Sequence, residues 1–593
     1  MDIAYAVRVV APCEHRARFS IDLHRVSTPT IDIVLPSWVP GFYEIFNFSR
    51  EFRDLTAARE PDGASLPTER LGKAHWRVAT PSAPEVHVEY TVYGHQLGTD
   101  GERFDLTPEH MLLNPGVCLP YVEGNLSVPV TVAVVVPSDW KVVTELEEIR
   151  HAPPQYRARN YDELVDSPID AGRPVVLTAR PCGIPHRISV CGEGGNYDAP
   201  TLESDISKIV EASIALLGDA RPVPRYTFFV HLTDGAHGGL EHLCSSSIVT
   251  DRNCFRPAES YRRFLHLVAH EYLHLYNVKR IRPKVLGPFD YTQENYTRQL
   301  WWMEGTTDYF TYLVLRRAGL LTPTQFLEQR AGLVREYLET PGRNRISLEE
   351  SSIITWVDHY QPFEETPNQS VSYYLKGDLV SMCLDLEIRD RSAGKASLET
   401  VLRMLWQEYG KVGVGLGEEE LLPVANRATG LDLTTFFDRH VRGREELDLA
   451  SFARRAALEL APREKRPDEQ SDPEPGDLGV AVENAQGLAR VTTAFLGRPG
   501  YSAGLTSGDE IVAINGSKVT FANLERRMDA YPAGSPVELT IFRRGFLHRL
   551  SMVTGTRPPR KYAFTPFATA SEHARAVYES WVGAKWTPET TYP

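Results

Sequence analysis

The sequence predicts a multidomain α+β protein: an all-β N-terminal region, a mainly helical centre and a small β-rich module. Three observations carry this expectation. The chain has 593 residues, and a single hydrophobic core stops growing near about 250 to 300 residues, so several domains are needed. The hydrophobic period changes along the chain, from short alternating runs to helical spacing and back again. Finally, APREKRPDEQSDPEPGD (461–477) is charged, proline-rich and poor in apolar residues, which is the composition of a linker.

Residues 1–175 read as an all-β, sandwich-like domain. Runs such as IDIVLP (31–36), VHVEYTVY (86–93) and VPVTVAVVVP (128–137) are β-branched or alternating and are separated by Pro, Gly and Asn clusters. Residues 176–460 read as a mainly helical domain. LESDISKIVEASIALLGD (202–219) has helical spacing, RYTFFVHL (225–232) reads as a strand, and YRRFLHLVAHEYLHLYNV (261–278) reads as a long helix. A linker over 461–476 leads to a β module over 477–556. The tail, 557–593, carries one short amphipathic helix near 571–582, and its closing TPETTYP is expected to be loose.

Composition excludes several classes. Hydrophobic residues make up 42% and charged residues 24%, an ordinary globular mix. With 64 basic against 78 acidic residues the net charge is -14, so no global basic field exists to hold nucleic acid or anionic lipid. There is no apolar run long enough for a membrane span, and Arg8, Glu14, Arg16 and Arg18 interrupt any signal-like stretch at the N-terminus. Seven cysteines, without CxxC spacing, argue against a disulfide framework and for a reducing, cytoplasmic compartment.

The strongest chemical signal is His270-Glu271-Tyr272-Leu273-His274. Two histidines four positions apart lie on one helix face, about 6 Å from each other, which suits two imidazoles on one tetrahedral zinc. Glu271 stands on the flank, where a carboxylate can take a proton from a water at the metal. The surroundings are apolar (Leu267, Val268, Leu273, Leu275), so buried histidines there need a use or a partner. A third ligand is offered by Glu304 in LWWMEGTTDYF (300–310). Asp308, one turn further on, can accept the free N–H of a ligating histidine. His266 lies on the same stripe one turn before His270. Two residues eight apart are separated by about 12 Å along the axis, so it cannot share an ion with His274 and reads as a packing residue.

HEYLHLYNVKRIRP (270–283) and WWMEGTTDY (301–309) together resemble the glycyl aminopeptidase family of gluzincin zinc metallopeptidases. LPSWVPGFYEIFNFSR (35–50), GGLEH (238–242), YYLKGDLV (373–380) and FFDRHVRG (436–443) extend the likeness over most of the chain. The resemblance implies a thermolysin-like catalytic domain and one Zn2+ per chain, held by His270, His274 and Glu304, with Glu271 as general base. It makes Glu241 the carboxylate that binds a substrate's free α-amine, beside the backbone of Gly238 and Gly239. It also makes Tyr374 of Y-x-K-G the donor to the tetrahedral oxyanion, a role that suits a phenol neutral at physiological pH; Tyr373 is its competitor. The family often has tryptophan where this chain has Tyr276, a position that is not a ligand.

SAGLTSGDEIVAINGSKV (502–519) resembles a PDZ domain, and Leu478-Gly479-Val480 looks like its carboxylate-binding loop, which would take the C-terminal peptide of a partner as an added strand. The expected activity is a zinc-dependent aminopeptidase that releases small N-terminal residues, glycine or alanine, from peptides with a free amine. The alternatives are a zinc endopeptidase, or a PDZ-mediated binding protein with a vestigial zinc site. Neither nucleic acid nor membrane is an expected partner.

Overall fold

The computed structural model describes residues 1–81, 83–98, 103–463 and 475–588. It contains two compact units: Met1–Thr297 with Phe310–Leu320 and Val401–Val424, and Arg298–Tyr309 with Leu321–Thr400 and Ala425–Pro593. Most of the predicted linker, 464–474, and the last five residues of the tail lie outside the described residues. Among those described, no helix is long and apolar enough to cross a membrane.

The first unit opens with an eight-stranded sheet. Its strands include β1 (Asp2–Ala11), β2 (Arg16–His24) and β3 (Glu85–Tyr93). Alternation does the work here. Ile3, Tyr5, Val7 and Val9 of β1 and Ala17, Phe19, Ile21 and Leu23 of β2 are buried, while their neighbours face outward. Two four-stranded sheets share the same core; one contains β4 (His110–Leu113) and β6 (Ile169–Gly172), which pair antiparallel. Between them in sequence, β5 (Val130–Val135) joins β1 in parallel, Tyr5 facing Val132.

A five-stranded sheet follows, made of β7 (Val175–Ala179), β8 (His186–Cys191), β9 (Tyr226–Thr233), β10 (His237–Glu241) and β11 (Ser245–Asp251) in the order β7-β8-β9-β11-β10. The inner strands β9 and β11 run parallel and are buried almost throughout, so YTFFVHLT is a continuous apolar run rather than an alternating one. β10 is an edge strand, antiparallel to β11, with Gly239 opposite Ile248. Helix α1 (Ala258–Leu273) is anchored on this sheet by Tyr272, whose ring meets those of Tyr226 and Phe228 at 5.0 and 5.8 Å.

The segment Trp301–Gly305, of the second unit, is a single π-helical turn leading into α2 (Thr306–Arg317). Such turns displace side chains from regular helical positions and recur at functional sites. Helix α3 (Tyr373–Arg391) is buried on nearly every side. The two approach closely because both are glycine at the contact: a Cβ on Gly305 would stand 2.5 Å from the Tyr373 carbonyl oxygen and 2.6 Å from Gly377 Cα. The charged groups on α3 are paired inside, Asp378 with the fully buried Arg330, and Asp385 with Tyr309 and Arg389.

Strand β12 (Leu458–Pro462) precedes a β module with its own core of Val491, Leu505, Ile511, Leu539 and Ile541. In that module β13 (Val480–Ala485) is an edge strand, paired with β14 (Leu488–Ala494). Asn368 clasps the module with two hydrogen bonds, donating to the Ala494 carbonyl (2.9 Å) and accepting from the Leu496 amide (2.8 Å). The chain then returns: β15 (Tyr562–Pro566) pairs antiparallel with β12, and α4 (Glu572–Val582) buries Trp581, whose indole N–H donates to the Tyr309 hydroxyl at 2.9 Å.

Candidate active site

Helix α1 ends at the metal motif. His270, Glu271 and His274 are buried, at 8%, 4% and 1% exposure, and the two imidazoles turn their Nε2 atoms toward each other at 2.8 Å with ring planes 89° apart. Two ring nitrogens so close, with no hydrogen to share if both rings carry theirs on Nδ1, form a pair that fits a common cation. His274 is fixed in that tautomer by its Nδ1–H, which donates to the Asn277 carbonyl at 2.7 Å. The predicted acceptor Asp308 therefore does not serve His274; the turn after the helix supplies the acceptor instead. Glu304, buried at 2% exposure in the π-helical turn, completes the set: one ligand atom from each of His270, His274 and Glu304 lies within 4.8 Å of the others.

Edge strand β10 runs past the motif. A Cβ on Gly239 would fall 2.5 Å from Glu271 Cδ and 2.6 Å from its Cγ, so glycine at 239 brings bare backbone against the glutamate. Two residues on, Glu241 is buried at 5% exposure. Gly41, held at φ +99°, carries the N-terminal loop over it, and a Cβ at 41 would stand 2.9 Å from a Glu241 carboxylate oxygen. Glu241 also lines a cavity of about 370 Å³ together with Trp38, Tyr43, Asp166 and Lys279.

Residues 4–173 match the peptidase M61 N-terminal domain and residues 263–380 match the M61 glycyl aminopeptidase family. The chain belongs to the M61 glycyl aminopeptidase family. A solved aminopeptidase N family protein from Idiomarina loihiensis is 27% identical, with 98% of this chain and 100% of that one covered and a TM-score of 0.90. An M1 zinc metallopeptidase from Deinococcus radiodurans is 14% identical over 76% of this chain and 94% of its own, at a TM-score of 0.49. No curated protein matches the sequence. This M61 chain is thus a metallopeptidase, and His270, His274 and Glu304 are its candidate zinc site.

The two tyrosines of Y-x-K-G part company in this peptidase. Tyr373 is wholly buried and its hydroxyl pairs with that of Thr355 at 2.9 Å. Tyr374 is only half-buried, and its hydroxyl meets that of Tyr360 at 3.5 Å. Burial first, and then the negative charge of Glu304, push the Tyr374 phenol well above its ordinary value, which keeps it a donor. His359 stacks on Tyr374 with ring centroids 5.0 Å apart, and burial pushes its imidazole below the ordinary value while Glu304 acts in the opposite sense.

Several residues around the site carry no local sequence signal. Asp166 accepts from Lys279 Nζ (2.7 Å), from the Leu243 amide (2.9 Å) and from His242 Nδ1 (3.2 Å), which pins the turn after Glu241. Burial would raise the Asp166 carboxyl, but Lys279 and His242 hold it below the usual carboxylate range. Tyr276 packs edge-on to Trp406 and donates to the Ala220 carbonyl at 2.9 Å, a packing role. His266 lies against Tyr312, ring centroids 4.5 Å apart. In the β module, Leu478 is in the core, Gly479 takes φ +69°, and Val480 opens the edge strand β13.

Proposed function

We propose that this metallopeptidase is a zinc aminopeptidase that releases glycine or alanine from the free N-terminus of peptides. The observation that carries the reading is β10: an unpaired sheet edge whose backbone at Gly239 touches Glu271 and which ends at the buried carboxylate of Glu241. A substrate laid along that edge as an added strand makes main-chain hydrogen bonds at Gly238 and Gly239, and the Glu241 carboxylate takes its α-ammonium, so the first peptide bond is the one presented to Glu271. Glu271 removes the proton from the attacking water and returns it to the leaving amine. Tyr374 donates to the carbonyl oxygen as negative charge develops there. Zinc, when bound by His270, His274 and Glu304, supplies Lewis acidity toward the water and the scissile carbonyl. Asp308 stays a proposed acceptor for the free N–H of a ligating histidine. The preference for small residues follows the family likeness.

In this reading 1–175 is the N-terminal domain, 176–460 the catalytic domain and 477–556 a PDZ domain, with Leu478, Gly479 and Val480 at the head of a groove for a peptide C-terminus. The test is a panel of free and N-acetylated glycyl and alanyl substrates, with wild type, Glu271→Gln and Glu241→Gln. Free substrates should be cleaved and acetylated ones spared. Glu271→Gln should abolish turnover with zinc retained, and Glu241→Gln should erase the preference for a free amine. Equal cleavage of acetylated peptides by the wild type would make the enzyme an endopeptidase.

A further inference from the structure

A second group of metal-ligating side chains lies in the first unit, outside the catalytic motif. His110, Asp170, Cys191 and His231 each place one N, O or S atom within 4.8 Å of the other three. Four strands deliver them. Cys191 of β8 and His231 of β9 are register partners in a parallel pair and share one face of the five-stranded sheet. Asp170 of β6 and His110 of β4 come from the neighbouring four-stranded sheet, where Gly172 opposite His110 leaves room for the ring. Asp170 and His231 are each 1% exposed and Cys191 is buried; only His110 has an outer edge, its side chain 13% exposed.

We propose that these four residues form a closed, structural site for a zinc-type divalent cation, in addition to the one zinc expected from the HExxH motif. The set is two imidazoles, a thiol and a carboxylate, N, S and O donors that zinc accepts in four-coordinate sites. With bond lengths of about 2.0 to 2.3 Å, the edges of a tetrahedral zinc site are about 3.3 to 3.7 Å long. Asp170 Oδ1 to His231 Nε2 is 3.4 Å and Asp170 Oδ2 to Cys191 Sγ is 3.2 Å, already near that size. The His110–Asp170 contact is a short hydrogen bond that opens when the ring turns its lone pair to the ion. One carboxylate is otherwise asked to serve three donors, and the buried His231 Nδ1 has no partner among the described residues. Charge also balances: the Asp170 carboxylate and a Cys191 thiolate cancel a divalent ion, whose binding displaces the thiol proton to solvent. No position is left for water or substrate, so the role is to staple the sheet of β4 and β6 to that of β8 and β9.

Cobalt(II) tells the two sites apart, because only the new one has a thiolate. Full-length protein is loaded with cobalt under reducing conditions, freed of excess metal, and read for metal per chain and for the near-ultraviolet thiolate-to-cobalt charge-transfer band. Two ions per chain and the band are expected. His270→Ala with His274→Ala should lose one ion and keep the band; Cys191→Ser should lose the band. A wild type holding one ion without the band overturns the proposal, as does a band that survives Cys191→Ser. If Cys191→Ser fails to fold, the wild type and the double histidine variant still decide the matter.

Discussion

Gly239→Ala isolates the contact between the sheet edge and the general base. Residue 239 is not in the left-handed region, so alanine meets no backbone penalty there. Its Cβ, however, would stand 2.5 Å from Glu271 Cδ, about 1 Å inside an ordinary carbon contact of about 3.5 Å. Strand β10 is tied to β11 along its whole length, so the glutamate side chain is the part that gives way. A misplacement of about 1 Å at a reacting group costs about 100-fold in rate, or about 2.7 kcal/mol of transition-state stabilisation. The expected outcome is a kcat on alanyl anilides lowered by about 100-fold, with zinc content unchanged because the ligands are not touched. Gly332→Ala is the control: nothing lies within 4 Å of its added Cβ, and it sits on an exposed helix position. It should leave kinetics intact and add about 0.5 to 1 kcal/mol of stability. A Gly239→Ala enzyme with full zinc and kcat within about twofold of wild type would refute the idea that bare backbone at 239 seats Glu271.

Tyr374→Phe should lower kcat by about 100- to 1,000-fold with little change in KM, whereas Tyr373→Phe should act on stability, since its hydroxyl is committed to Thr355; the pair is resolved by kinetics alongside thermal melts. Lys376 is fully buried, and burial pushes its ammonium down to about 8 from 10.5. Between those values the folded chain sheds the proton before the unfolded one, so stability rises with pH there. The cost is fully present below the folded value and amounts to about 3 kcal/mol. Lys376→Met should flatten that rise when Tm at about pH 7.5 and about pH 10 is compared with wild type. Trp581→Ala removes a buried indole and its bond to Tyr309, and should cost about 3 to 5 kcal/mol in denaturant melts.

The helical part of the site was legible because a helix repeats on itself: His270, Glu271 and His274 declare one face within five positions, and Glu304 stands among aromatics in the next helical segment. Long-range pairings carried no such mark. Asp166 meets His242 and Lys279 across 76 and 113 positions. The four residues of the second metal group come from four strands and two sheets. A trace of that group was visible all the same, in His231 within YTFFVHLT and Asp170 within IDAG, polar residues in otherwise apolar strands. The π-helical turn at Trp301–Gly305 has no local sequence code, and the close approach of Gly305 to Gly377 that accompanies it spans 72 positions. Nor does the strand 562–566 announce its partner, 458–462, on the far side of the module.

That last pairing changes the status of everything it encloses. Pro462 and Tyr562 are register partners, so the β module is, in topological terms, the loop of a very long β-hairpin and not a bead at the end of a string. A single proteolytic cut between Arg463 and Pro475 would leave two polypeptides in one particle. The C-terminal piece stays bound through β15, through Trp581 and through the Asn368 clasp. The same closeness of exit and return means the module can be excised by joining residue 462 to 562 with a two-residue Asn-Gly turn. The reverse also holds: the hairpin is a natural entry point for inserting a different recognition domain without moving the terminus that completes the helical core.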